Sequence, residues 1–241
     1  MRRPYYLKIY NGRWHIVFTL AIVLLPFLFV AFVLPFSVEE KKIFVYDLLF
    51  SSFRLVVAYV ISVFLAMIFA LFLSRGKIGD FFLPLFDVMQ SFPTFAMLPL
   101  VVKYFGAGNV TVIIFLVVTI IWPLLFAIIS AQKLVKEEWN EAATIFGAKG
   151  WRRLLYYSLP LSYPGLITGS IVGLGEGWEA VVGAEIIVGL QQNGLGSFFN
   201  TNSDSSSVVL FGVFALLLCI FVLNKFIWLP LLHKSHSLLT E

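Results

Sequence analysis

What most constrains this chain is a succession of apolar runs, each about as long as a bilayer is thick. Residues 14–36, 55–73, 81–102, 110–131 and 208–224 are almost wholly apolar. A helix rises about 1.5 Å per residue, so about 20 such residues cross the roughly 30 Å hydrocarbon core. A sixth run, 161–190, is longer and is interrupted by glycines and by Glu176, Glu179 and Glu185. It is read as one span followed by a broken or re-entrant piece, and its glycines at 173, 175, 177, 183 and 189 permit either close helix packing or a broken helix lining a cavity. Composition agrees: of 241 residues, 60% are apolar and 12% charged, against roughly 45–50% and about 25% in soluble domains. A soluble globule of this size has nowhere to hide so much apolar surface. Soluble enzyme, disordered chain and nucleic-acid binder are disfavoured together. The expected fold class is all-α, a polytopic membrane protein of about six transmembrane helices.

The run 14–36 exceeds the roughly 7–15 apolar residues of a secretory signal. Leu34-Pro35-Phe36-Ser37 offers no small-residue cleavage site, so this run is expected to stay as a span. Short cytoplasmic loops collect Lys and Arg. With the N-terminus inside, twelve of the 17 basic residues face inward, among them Arg2, Arg3, Arg75, Lys77, Arg152 and Arg153. Four face outward, namely Lys41, Lys42, Arg54 and Lys103, and Lys225 falls at the interface. Both termini are therefore expected in the cytoplasm. The net charge of +4 is explained by topology and anionic lipid rather than by nucleic acid. Tyr5, Tyr6, Tyr10, Trp14 and Trp228 fit an interfacial aromatic belt. Cys219 is the one cysteine, and His15, His233 and His236 are scattered, so neither a disulfide framework nor metal-ligand spacing is present.

Three hydrophilic stretches remain. Residues 37–48, with Glu39-Glu40-Lys41-Lys42, are expected as a short outer loop, and 203–207 as a solvated serine-rich one. The longest polar stretch, 132–158, lies inside, between the fourth and fifth spans. Its acids in the early turns and its Ala142-Ala143 pair favour a helix from Glu137 to Phe146. Gly147 and Gly150 then break it, and Trp151 to Tyr157 form a second short helix that Leu159-Pro160 stops. Two short helices meeting at glycines make a compact knob, and Ala142 and Ala143 let another protein approach closely.

These residues carry a resemblance. Glu141-Ala142-Ala143, three residues, Gly147, nine residues, Tyr157, one residue, Leu159-Pro160 resembles the EAA signature of the membrane subunits of ATP-binding-cassette importers. The family pattern has isoleucine where Tyr157 stands. The resemblance implies a type I importer (MetI-like) permease fold, in which this loop docks as a coupling helix into a groove of a nucleotide-binding subunit. Glu141 would then be the polar contact, Ala142 and Ala143 the close-packing surface, Gly147 the turn, and Leu159 and Pro160 the end of the motif. The chain has no GxxxxGK[ST] phosphate loop; Gly76-Lys77 is followed by Ile78. ATP and magnesium are thus expected on a partner, with no cofactor bound by this chain and no covalent chemistry catalysed by it.

Charges and breaks inside the apolar runs suggest a pathway. A carboxylate at the bilayer centre costs about 2.5–3.5 kcal/mol on insertion scales, so Glu176, Glu179 and Glu185 should face protein, water or the interface. The alternative is that one or two of these acids lie near the outer interface, solvated or paired with Lys103 or Arg54. Glu176 and Glu179 share one helical face. In the third run, Asp87, Gln90, Ser91 and Pro93 stand among Pro84, Thr94 and Pro99, and prolines free backbone carbonyls where a helix lines a cavity. Asp87 could instead simply pair with a neighbouring span. The run Ser91-Phe-Pro-Thr-Phe-Ala-Met-Leu-Pro-Leu with Tyr104-Phe-Gly, then Trp178, Ala184-Glu185 and Gly194-Leu-Gly196, is similar to permeases of nitrate, sulfonate, taurine and bicarbonate importers. The likeness covers roughly residues 50–230. Glu176 and Glu179 depart from that pattern, and Gln191-Gln192 lengthens the turn before Gly194. Extra carboxylates in a conduit would repel a small anion, so a neutral, zwitterionic or cationic solute stands beside the anion as an expectation.

The expectation is therefore one permease domain, 1–241: a tail, first span and outer loop (1–50), a core (51–230) containing the coupling loop 132–158, and a cytoplasmic tail (231–241). The resemblance implies two ATPase subunits, a second permease copy, an extracytoplasmic substrate-binding protein, and residence in the cytoplasmic membrane of a prokaryote. A rival reading is an ion-coupled secondary transporter using Asp87, Glu176, Glu179 and Glu185. A structural or channel subunit is a further rival, supported only by hydrophobicity.

Overall fold

The structure, a computed structural model, describes residues 38–73, 93–135, 137–189 and 193–237, with isolated positions between 81 and 91. The span expected at 14–36 lies outside the described residues. Among the described residues every regular element is helical. Three of these helices are long and apolar enough to cross a membrane, over Glu39–Leu71, Asn109–Lys133 and Ser206–Leu232.

Helix α1 (Val38–Leu73) runs for 36 residues, about 54 Å at helical rise. It begins inside the stretch expected as an outer loop. Glu39 and Glu40 occupy its first turn, where acids favour a helix N-terminus, so those polar residues start the helix and are not a loop. Helix α2 (Thr94–Phe105) has 12 residues and follows Pro93, whose ψ of 97° is extended. Ser91 is in a turn. The expected span 81–102 is thus non-helical at both Ser91 and Pro93, proline supplying no backbone N–H to a helix that precedes it. Helix α3 (Asn109–Lys133) follows a turn at Gly106.

Helix α3 lies between two stripes of small side chains. Ala58, Ser62, Ala66 and Ala70 of α1 recur every four residues and are fully buried, and the Ser62 hydroxyl also donates to the Val117 carbonyl of α3. On the other side, α6 (Leu159–Val188) turns Gly165, Gly169, Gly173 and Gly177 toward α3. A Cβ on Gly169 would come within 2.8 Å of the Leu124 Cα, and one on Gly165 within 2.8 Å of the Ala127 carbonyl carbon. Helices in lipid gain nothing from hydrophobic exclusion between them, so close backbone approach at small residues supplies their packing energy. Leu116, Ile120, Leu124 and Ile128 of α3, all fully buried, fill the seam.

The long glycine-rich segment is therefore one unbroken 30-residue helix, and the expected break within it is corrected. Its glycines pack against a neighbour instead of bending the chain. The interruption comes at Gly189, which caps α6 in the left-handed conformation (φ 67°, ψ 36°). A short helix, α7 (Leu195–Thr201), then folds back against α1 and α6. Residues 202–204 form a turn, and α8 (Ser206–Leu223) follows, so the serine run is part turn and part helix start. Phe198 of α7 and Phe211 of α8 both meet Phe44 of α1 edge-on, with centroids 5.2 and 5.6 Å away.

The polar stretch before α6 forms α4 (Glu137–Ile145) and α5 (Gly150–Arg153). Leu159-Pro160 does not stop the second helix as expected. A π turn, Leu154–Ser158, carries it directly into α6, and the Leu159 N–H bonds back to the Leu154 carbonyl. A second π turn, Asn224–Trp228, joins α8 to α9 (Leu229–Ser237) and also immediately precedes a Leu-Pro pair, Leu229-Pro230. In an α-helix, proline clashes with the carbonyl four residues back and leaves it unbonded. The wider π ladder relieves that conflict, so the helix continues.

Candidate functional site

The candidate site has two parts at opposite ends of α3 and α6. At one end is the knob of α4 and α5. Glu137 and Glu138 occupy the first turn of α4, where carboxylates complement the exposed N–H groups. The helix ends with the Gly147 N–H on the Thr144 carbonyl (3.1 Å) and the Ala148 N–H on the Ala143 carbonyl (2.9 Å). This is the Schellman arrangement, which requires a left-handed residue at its centre. Gly147 supplies it with φ 72°.

Asn140 ties the knob together. Its Oδ1 accepts from Arg153 Nη2 at 3.1 Å and from the Tyr157 hydroxyl at 2.8 Å. Arg153 Nη1 reaches the Thr144 hydroxyl, and the guanidinium lies 5.4 Å from the Tyr157 ring centroid, within cation–π range. Tyr157, the departure from the EAA pattern, thus contributes a bond that isoleucine could not make. Sequence reasoning missed Asn140; its four-residue spacing to Thr144 was the available signal.

Glu141 is exposed on this knob, and Ala142 and Ala143 are half-buried. Ile145, Phe146 and Trp151 are 83%, 88% and 71% exposed, a concentration of apolar surface of the kind that marks interaction sites. A groove of ≈ 640 Å³ runs beside it, with Gln132, Asn140, Glu141, Arg153 and Tyr157 in its walls. Leu159 and Pro160 stand at the start of α6, below the π turn.

At the opposite end a buried polar cluster holds α7. Arg54 of α1 donates from Nε to Asn109 Oδ1 (2.9 Å), from Nη1 to Glu185 Oε1 (2.5 Å) and from Nη2 to the Asn193 carbonyl (2.9 Å). One guanidinium therefore joins α1, α3, α6 and the turn before α7, using the fork of donors that only arginine carries. Arg54 is 5% exposed and Glu185 1%. The first N–H groups of α7 have no partner within the helix. Gly194 N–H bonds Asp47 Oδ1 (2.8 Å), Leu195 N–H bonds Ser51 Oγ (2.9 Å) and Gly196 N–H bonds Glu185 Oε2 (2.9 Å). The Ser51 hydroxyl in turn donates to Glu185. Asp47, Ser51 and Arg54 are spaced to share one face of α1, a signal hidden while residues 37–48 were read as a loop.

The pathway candidates fall in different settings where the structure describes them. Asp87 and Gln90 lie outside the described residues, and Ser91 and Pro93 are exposed beside the start of α2. Glu176 and Glu179 are exposed on α6, while Trp178 between them is buried. Glu185, buried in its ion pair with Arg54, does not join them.

Long apolar helices, small-residue seams and no strand among the described residues define a polytopic helical membrane protein. Residues 58–227 match the family described as binding-protein-dependent transport system inner membrane component, and the chain belongs to that family. It is 30% identical over 140 residues to the taurine transport system permease protein TauC of Escherichia coli, covering 56% of this chain and 51% of that protein. It is 31% identical over 117 residues to the riboflavin transport system permease protein RibX of Chloroflexus aurantiacus, 48% and 43% of the two chains. With the nitrate import permease protein NrtB of Synechococcus elongatus it shares 23% over 174 residues, 70% and 62%. The matches span about half the length of these relatives.

Proposed function

We propose that this chain is the membrane-spanning permease subunit of an ATP-driven importer, moving a small solute across the cytoplasmic membrane of a prokaryote. Two copies pair, two ATPase subunits dock beneath them, and an extracytoplasmic receptor delivers the solute. The single permease domain 1–241 has about six spans, with both termini and the α4–α5 knob on the cytoplasmic side. ATP and magnesium reside on the ATPase.

The observation that carries this reading is the knob. Its Schellman turn at Gly147 and its Asn140 ties hold Glu141, Ala142 and Ala143 in place, with Ile145, Phe146 and Trp151 exposed beside them. An apolar anchor rimmed by a charge fits a groove on a partner protein. When nucleotide draws the two ATPases together, a docked knob moves with them. The π turn continues α5 into α6, so that motion passes directly to the longest glycine-packed span. Glu176 and Glu179 support a pathway on the exposed face of α6, because facing hydrocarbon would cost each about 2.5–3.5 kcal/mol.

The test is co-purification of the ATPase with the permease variants Glu141→Arg and Gly147→Val, together with ATP-dependent uptake in vesicles. Both variants are expected to lose the ATPase or to uncouple hydrolysis from uptake. Wild-type assembly and uptake in both would overturn the proposal, as would uptake by this chain alone without nucleotide.

A further inference from the structure

Two cavities flank α7. One, ≈ 520 Å³, lies between α1 and α7, with Glu40, Lys42, Tyr46, Asp47, Ser197 and Thr201 in its walls. The other, ≈ 230 Å³, lies between α6 and α7, against Ile186, Gly189, Ser197, Asn200 and Thr201. Ser197 and Thr201 are four residues apart, hence on one face of the helix, and they border both cavities.

Several hydroxyls of the other helices are satisfied locally. Ser52, Ser62, Thr119, Thr144, Thr168 and Ser170 each donate to a backbone carbonyl four residues back. Among the described residues, the side chains of Ser197, Asn200 and Thr201 have no such bond and no other protein partner. The helix that carries them is pinned: its first three N–H groups are bound by Asp47, Ser51 and Glu185. Gly196 also packs so closely on α6 that a Cβ would come within 2.8 Å of the Ile186 nitrogen. Uncommitted polar groups on a rigidly held element, facing a cavity, are what a binding contact needs.

We infer that α7 is the selectivity lip of the outer mouth, where Ser197, Asn200 and Thr201 contact the passing solute through hydrogen bonds. The inference rests on the permease reading and names the solute class: a small polar molecule rich in donors and acceptors.

The experiment uses the full chain with Cys219→Ser, reconstituted with its ATPase and receptor. Ser197→Cys and Thr201→Cys are compared with Ser206→Cys, an exposed position at the start of α8. The probe is the impermeant thiol reagent 2-sulfonatoethyl methanethiosulfonate, added from the outer side. All three thiols are expected to react at rates within about tenfold of one another. Modification is expected to block uptake at 197 and 201 and to spare it at 206. Ser197→Ala and Thr201→Val should each raise the KM for uptake by about three- to tenfold, the range one lost hydrogen bond produces. Labelling at 197 and 201 more than a hundredfold slower than at 206 would overturn the inference. So would full uptake after labelling, or an unchanged KM in both variants. Those results leave ATP-dependent uptake by the unmodified complex intact, whereas its absence would count against the permease reading itself.

Discussion

Removing the charge of Glu185 is expected to unpin the outer end of the molecule. Glu185→Gln keeps the side chain's shape and leaves an acceptor for the Gly196 N–H, but it leaves the Arg54 guanidinium buried without its counterion. Both residues are nearly inaccessible, at 5% and 1% exposure, so water does not screen the loss. Breaking such a pair from one side costs about 3–5 kcal/mol, a shift of roughly a hundred- to several-thousandfold in the unfolding equilibrium. Arg54→Met should cost a similar amount, since it strands the Glu185 carboxylate. The double variant Arg54→Met/Glu185→Gln removes both charges and should be more stable than Glu185→Gln alone, because an absent pair is less costly than a broken one. Unfolding of the purified chain in mixed micelles, followed by circular dichroism, measures all three. Amide exchange reports the local effect: Gly194, Leu195 and Gly196 should lose protection in the single variants. A cost below about 1 kcal/mol for Glu185→Gln, the behaviour of an exposed ion pair, would refute the reasoning. Strict additivity in the double variant would refute it too.

Two other substitutions probe the remaining parts. Gly169→Leu places a side chain where a Cβ alone meets the Leu124 Cα at 2.8 Å; backbone cannot yield as a side chain does, so the seam between α3 and α6 should open at a cost of about 1–3 kcal/mol or more, read as a lower unfolding midpoint. Asn140→Ala removes the acceptor shared by Arg153 and Tyr157; it should destabilise the knob by about 1–3 kcal/mol and weaken ATPase co-purification several-fold, while Asn140→Asp, which retains the acceptor, should restore most of it.

Much of the molecule is legible from local sequence because its signals are local. Acids at Glu137 and Glu138, helix-forming Ala142-Ala143 and the breaker Gly147 place α4 almost to the residue, as capping and termination depend on neighbours a turn away. Apolar runs locate α3 and α8 for the same reason. The failures share one origin. Leu159-Pro160 reads as a stop until a π turn absorbs the proline, and Glu39 to Lys42 read as a loop until they prove to be the first turns of α1. Glycines in 161–190 read equally as a break and as a close-packing surface, and four of them are the contact surface for α3. A glycine has the same letters in a hinge and in a seam; only the neighbour distinguishes them.

The order of residues was sufficient for the membrane class, the helical architecture and the outline of the knob. Burial in lipid forces backbone hydrogen bonds to close within each helix, and that rule acts on composition and spacing alone. Tertiary structure decided the partners across the chain: Arg54 with Glu185, 131 residues apart, and Asp47 with Gly194, 147 apart. Sequence reading offers Lys103 or Arg54 as a partner for the acids of 161–190 beside a place in a conduit, because charge by itself states a need for a partner without deciding among candidates; the structure selects Arg54 for Glu185. The packing of α1, α3 and α6 brings the two together, and with them the short helix that they hold.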